Sequence, residues 1–456
     1  MLDHCRIITL VHFKFSVFED PTVESAIYVL QKEPDRMNRL KNAVTGIVSS
    51  SVNEFTTHQF RPIEIAQARF DEIPGNDFNF SLAGERGEIL LKMRRGDLRL
   101  GAICEMTVGI KPYQTGKGKP KQTKEIVAKR VFDADHRKNE TYHQYLMGRD
   151  LGRYVVDPIE ERWISYGDWL AEPRPAAPFF EPRRIVIRQT GDSVIAAIEE
   201  RQRLTLNNIH NLRLKRESPR MEFLLALLNS RLITYYHQQV VPEADRVFAE
   251  VKIVDLEQIP IPRIEFDTLA TKRVAQLENA QESYEKSLAA KDAKNALQFV
   301  EAELKAGGTD VVHDLLAFLA ERIMAMNQEK RTTAKQFLTD LKDFHNIDSR
   351  ALNPKTKLDE FWKLEALDLF AHIHKNARRL EEQKVHLSEK DEDKIRSRFV
   401  MAKETLLPLE NQIAFTDQLI DQIVYRLYDL TPEEIKIVDG TSNAKAERQK
   451  KGTSDG

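Results

Sequence analysis

The chain has 456 residues, 41% hydrophobic and 31% charged, which excludes disorder over most of its length and provides apolar material for about three domains of ordinary size. No apolar run reaches the roughly 18 to 20 residues of a membrane helix, and the start MLDHCRIITL lacks the order of a signal peptide, so a cytoplasmic protein with no membrane partner is expected. Cys5 and Cys104 are too few for a disulfide framework or a cysteine-based zinc site, and a net charge of -2 from 69 basic and 71 acidic residues confines any nucleic-acid binding to a local patch.

Residues 1–35 read as strands: RIITLVHF, FKFSVF, a turn at Glu19-Asp20-Pro21-Thr22, and VESAIYVLQK. In the last, Val23, Ala26, Ile27, Val29 and Leu30 are nearly continuous, as in a strand buried on both faces. Such strands need partners, and none precedes them. The chain is therefore expected to begin inside a domain, and removing this segment is expected to leave the rest intact. From Pro34 to Asn79 the pattern is mixed and reads as a connector.

Between Ser81 and Phe266 short helical pieces give way to β-like segments punctuated by Gly and Pro. Arg184-Ile185-Val186-Ile187-Arg188 is the clearest strand. The run EFLLALLNSRLITYYHQQ reads as one helix, with Phe223, Leu224, Leu227, Leu228, Leu232 and Tyr235 at three- and four-residue steps. Beyond Asp267 the chain becomes helical and charged. Leu269 to Lys305 reads as a long polar helix or helical pair stopped at Gly307-Gly308. Val312, Leu315, Leu316, Leu319 and Ile323 form one apolar stripe, and Leu364, Leu367, Phe370, Ile373, Ala377 and Leu380 another. The tail after Gly440 has no apolar periodicity and is expected to be disordered.

A search for catalytic groups nominates none. The only Gly-x-Gly, Gly116-Lys117-Gly118, lies in a lysine-rich segment read as a flexible basic loop, not a cofactor turn. No Asn-Pro-Pro-Tyr or Asp-Pro-Pro-Tyr is present to hold a flipped amino-purine. His372 and His374 diverge by about 200° on a helix and cannot chelate one ion together, so an exposed helix surface is expected there. Glu303-Leu304-Lys305 has the letters of a nuclease motif but falls in a helical pattern.

Positive signals lie in the middle module. Lys111, Lys117, Lys119, Lys121, Lys124, Lys129 and Arg130 are opposed only by Glu125, with Tyr113 and Gln114 interleaved, a composition suited to phosphate neutralisation beside base-edge contacts. A second basic run comprises Arg183, Arg184, Arg188, Arg201, Arg203, Arg213, Lys215, Arg216 and Arg220. Lys111, Lys117, Lys119, Lys121 and Arg188 are nominated as DNA contacts. Tyr113 and Gln114 are nominated for base contact, and so are Asn207, Asn208 and His210; a turn whose side chains cap local backbone is the other reading of the two asparagines.

In order, the strings GAICEMTVGIKPYQTGKG, HQYLMGRDLGRY, FFEPRRIVIRQTGD, LTLNNIHNL, FLLALLNSRLITYYHQ and AEVKIVDLEQIPIP resemble the TaqI-like C-terminal specificity domain. This is the target recognition domain of adenine-specific DNA methyltransferases and type IIG restriction-modification enzymes. FSVFEDPTVESAIYVLQK resembles the last strands of the methyltransferase domain that precedes it there, and FTDQLIDQIVYRLYDLTPEEIKIVDG the helical terminus of the same enzymes. The resemblance implies an α+β fold: a remnant of a mixed methyltransferase sheet with connector over 1–80, a DNA target recognition domain over 81–266, a helical region over 267–440 and a tail over 441–456. It implies sequence-specific recognition of double-stranded DNA by a chain with no complete active site. S-adenosylmethionine is then expected only on the missing methyltransferase half, which either comes from a separate polypeptide or is absent because the reading frame is a truncated or split gene product. Two other readings remain open: a specificity-subunit-like protein docking onto separate catalytic subunits, and a protein interaction scaffold in phage defence.

Overall fold

The computed structural model describes residues 2–18, 24–71, 78, 84–96, 98–158, 160–174, 179–191, 193–216, 219–240, 250–382 and 385–440. The turn at Glu19–Thr22 and the tail beyond Gly440 lie outside them. The fold is α+β, with about 49% helix and 19% strand. No helix among the described residues is long and apolar enough to cross a membrane.

Apolar residues in β1 (Cys5–Ser16) bury Ile7, Leu10, Val11 and Phe13. β1 pairs antiparallel with β2 (Glu24–Lys32) and parallel with β3 (Ala43–Ser49), and β4 (Ile63–Ala66) closes the order β2-β1-β3-β4. The expectation that β2 is buried on both faces is corrected. Among the described residues it pairs with β1 alone, and Ile27, Tyr28, Val29 and Leu30 are between 38% and 47% exposed. Because β3 occupies the other flank of β1, the apolar run of β2 forms an uncovered edge.

The middle module holds two four-stranded sheets. One has the order β12-β11-β14-β5, from β5 (Cys104–Val108), β11 (Arg184–Arg188), β12 (Ala196–Glu199) and β14 (Ile209–Leu214). The other has the order β13-β7-β10-β6, from β6 (Asp133–Ala134), β7 (Tyr142–Leu146), β10 (Trp163–Ser165) and β13 (Leu204–Thr205). A short ribbon, β8 (Leu151–Gly152) and β9 (Val155–Val156), stands beside them. Leu146 and Leu151 pack on Val186, Ala197 and Ile209 where the two sheets meet.

The opposite face of the first sheet carries Ile185, Ile187, Ala196 and Leu212 into the main core, with the wholly buried helix Met221–Asn229. The single helix expected over residues 222–239 is two, broken at Ser230. That residue is extended, and its hydroxyl donates to Leu227 O at 2.7 Å and accepts from Ile233 N at 3.3 Å, starting a second helix, Arg231–Val240. Asn229 clamps the first of these to β12 through both the N–H and the carbonyl of Ala196.

The polar stretch after Asp267 is a helical pair, Ala270–Ala290 and Lys294–Lys305, so Glu303-Leu304-Lys305 is helical. Two long helices follow, α1 (Thr309–His345) and α2 (Glu389–Leu427), with Pro408 inside the second. The stripe Val312 to Ile323 is buried as expected. The second stripe is only partly so: Phe370, Ile373 and Leu380 are buried, but Leu367 in the first turn is 80% exposed and Ala377, past the helix end at Asn376, is exposed as well. His372 is buried, not on an exposed surface, while His374 meets Glu392 at 2.9 Å.

One buried cluster runs from Ile7 and Leu10 through Leu90 and Met93, the first middle sheet, and Phe223 to Leu228, to Leu315, Ile323, Ile423 and Tyr425. The stretches on either side of residues 80 and 266 therefore share a core. A second cluster, centred on Phe337, Phe361, Phe370 and Phe399, occupies the far end of the long helices.

Candidate nucleic-acid interface

The lysine loop grows from the end of β5. Gly109 approaches β13 so closely that a Cβ would stand 2.2 Å from the carbonyl oxygens of Thr205 and Leu206. Ile110, fully buried, bonds to Thr205 O at 2.8 Å. The chain then wraps around Gln122, which is 3% exposed. Gln122 Nε2 donates to Pro112 O at 2.8 Å and Trp169 O at 2.9 Å, and its Oε1 accepts from Gln114 N at 3.0 Å. Lys119 N donates to Asp168 O at 2.8 Å. Gly118, at φ +85°, passes where a Cβ would lie 2.4 Å from Trp169 O. The flexible loop expected from composition is thus an ordered one, pinned by a buried carboxamide.

That order fixes which cations are free. Lys117, Lys119, Lys121 and Lys124 are exposed and have no acidic partner among the described residues. Lys111 is half-buried and donates to Gln114 Oε1 at 2.7 Å. Lys129 pairs with Glu125 at 2.7 Å and Arg130 with Asp133 at 2.6 Å. Tyr113 is enclosed: its ring stacks on Phe132 at 5.4 Å and lies 4.9 Å from the Arg130 guanidinium. Its hydroxyl accepts from Phe132 N and donates to Asp133, and burial pushes its ionisation well above the usual range. The side chains of Tyr113 and Gln114 are therefore already engaged in holding the loop.

The second basic run is mostly structural, correcting its reading as a DNA-facing surface. Arg184 is fully buried, bonded to Asn211 Oδ1 at 2.9 Å and to the carbonyls of Glu181 and Arg203. Arg203 grips Glu199 at 2.6 Å, Arg183 meets Glu222 at 2.7 Å, Arg220 meets Glu321 at 2.6 Å, and Lys215 donates to Gly101 O at 2.7 Å. Arg188 is half-buried at the end of β11, opposite Ile209 of β14.

In the turn between β13 and β14 Asn207 is exposed, while Asn208 Oδ1 accepts from Gly148 N at 3.1 Å, a bond to distant backbone, not the local cap of the alternative reading. His210 is 2% exposed, and its Nε2 donates to Val251 O at 2.6 Å. Burial holds its imidazole below the ordinary histidine range, so it is neutral and enclosed. His210 does not reach a surface where a base could lie.

Sequence reading missed two features. Asp150, with a fully buried side chain, binds Arg162 by two parallel bonds of 2.8 Å and accepts from Met147 N at 2.7 Å, locking the turn after β7 to the segment before β10. On the outer face of the same sheet Tyr142, Gln144 and Trp163 stand half-exposed. Neither was visible in the strings, because the partners are 12 to 21 residues apart and meet only through strand pairing.

Residues 143–261 match the TaqI-like C-terminal specificity domain. The matched span begins in β7 and takes in Gln144 and Trp163, the Asp150–Arg162 pair and the β13–β14 turn, while Tyr142 and the lysine loop precede it. Residues 311–424 match DUF8810, a domain of unknown function, which covers most of the two long helices. No curated protein matches the chain. The specificity-domain match supports a DNA-recognition role in a methyltransferase or restriction-modification setting.

Proposed function

We propose that this chain is the duplex-DNA recognition part of an adenine-specific methylation or restriction-modification system, acting in the cytoplasm with a separate methyltransferase polypeptide. The observation that carries the reading is the ordered loop presenting Lys117, Lys119 and Lys121 beside a matched specificity domain. Unpaired ammonium groups on a rigid loop suit phosphates, whose spacing is independent of sequence, and leave base reading to the neighbouring sheet face. A duplex shift assay over a salt series tests it. Affinity that falls linearly on a log–log plot is expected, and no binding at low salt sinks the reading.

No cofactor loop and no amino-purine clamp is found in the sequence, so the purified chain is expected to bind no S-adenosylmethionine by itself. Micromolar binding in calorimetry would overturn this.

The methyltransferase polypeptide is proposed to pair with β2, whose outer edge and apolar side chains offer a strand-addition site. Deleting residues 1–35 is a poor test, since it also strips Ile7 and Leu10 from the shared core. A single charge on the edge is better. Val29→Lys is expected to reduce self-association in light scattering, because edge lysines block strand addition, while DNA affinity stays within about twofold. Unchanged scattering would remove the edge from the reading.

A further inference from the structure

β7 and β10 pair antiparallel with Gln144 opposite Trp163 and Tyr142 opposite Ser165. Directly opposed residues share a face and successive residues alternate, so Tyr142, Gln144 and Trp163 lie on one side, and His143, Tyr145 and Ile164 on the other. The second side is internal at Tyr145 and Ile164, buried in the cluster that includes Ile110 and Leu170, and opens to solvent at His143. The first side is internal only at its base, where Leu146 packs on Val186, Ala197 and Ile209. Gln144 and Tyr142 continue that face past the contact into solvent.

Three planar, polar-tipped side chains thus share an open face. The Gln144 carboxamide, the Trp163 indole N–H and the Tyr142 hydroxyl have no hydrogen-bond partner among the described residues. Lys138 Nζ stands 5.8 Å from the Tyr142 ring centre, bringing a cation to the same edge. Gln114 differs: its side-chain Oε1 accepts from Lys111, and its backbone N–H donates to Gln122 Oε1. An unengaged carboxamide offers a donor and an acceptor side by side, the complement of the N6 and N7 edge of adenine. β7 and β10 are the two inner strands of the sheet β13-β7-β10-β6, so the group is presented from a sheet face, and sheet proteins do read base edges in the major groove. The flanking Trp163 restricts where the carboxamide can point, and nothing in the fold uses the group.

We propose that Gln144, on the outer face of the inner strands β7 and β10 between Tyr142 and Trp163, reads an adenine edge of the target duplex in the major groove. The assignment rests on the duplex-recognition reading and deepens it, moving base contact from the lysine loop to the sheet. The lysines hold the backbone; Gln144 reads the base.

Binding-site selection with the full chain tests this on wild type, Gln144→Ala, Gln144→Glu and Gln114→Ala, beside nonspecific binding and thermal unfolding. Wild type is expected to select a sequence containing an adenine that Gln144→Ala no longer prefers. Gln144→Ala should bind the selected site roughly 10- to 100-fold more weakly, with unchanged nonspecific affinity and unfolding temperature. Gln144→Glu, which can only accept, should change the preference at that position toward cytosine, and Gln114→Ala should select the wild-type sequence. If Gln144→Ala alters unfolding, Gln144→Glu, nearly identical in shape, decides. An unchanged selected sequence in either Gln144 variant overturns the assignment and leaves duplex recognition standing. Absence of any preferred sequence for a wild type that binds DNA overturns both it and the recognition reading.

Discussion

Asp150→Ala is expected to lower the stability of the chain by about 3 to 5 kcal/mol, the usual cost of removing one partner of a buried ion pair. The Asp150 side chain is fully buried and takes both terminal nitrogens of Arg162 at 2.8 Å as well as Met147 N. Truncation strands a guanidinium in a poorly hydrated site and frees a backbone N–H, and each is costly unpaired. The turn so released also holds Gly148 against Asn208, so the damage should spread to the β13–β14 turn. Urea unfolding of wild type and variant measures the effect. A loss below about 1 kcal/mol would place the pair among surface ion pairs in energy, contrary to its burial.

Replacing Lys117, Lys119 and Lys121 together by Ala is expected to flatten the slope of log affinity against log salt by about 2.7 units, at 0.9 per phosphate contact. At physiological salt this corresponds to roughly 100-fold weaker binding, equal for all duplexes. The three side chains are exposed and make no described contact, so folding should be unaffected. A slope unchanged in the triple variant would show that the loop does not meet the phosphates.

The lysine loop was legible in composition but not in its order, because Gln122 is held by the carbonyls of residues 112 and 169, one of them far along the chain. The second basic run misled for a related reason. Glu199 enters a count along the sequence, but a count cannot show that Arg203 is locked onto it, nor that Arg184 is buried, nor that Glu321 comes from a helix about a hundred residues on. In β2 an unbroken apolar run was read as full burial, yet the same run also suits an edge that waits for cover. The helix over residues 222–239 showed the right period throughout. Only the Ser230 hydroxyl divides it, and a serine within a helical pattern gives a weak signal. Gln144 and Trp163 could not be paired before the register was known, since they are 19 residues apart.

The core that joins the sheet β12-β11-β14-β5, which backs the recognition sheet, to the long helices bears on how target specificity could be transplanted. A swap of residues 143–261 alone would carry Phe223 to Leu228 away from Val312, Leu315, Leu316 and Leu319, the stripe they share a core with. Interdigitated surfaces of this kind tolerate exchange best when both halves travel together. Chimeras that take the first half of α1 along with the recognition sheet should therefore fold and inherit the donor's sequence preference, whereas those cut at residue 261 should be recovered as insoluble chains.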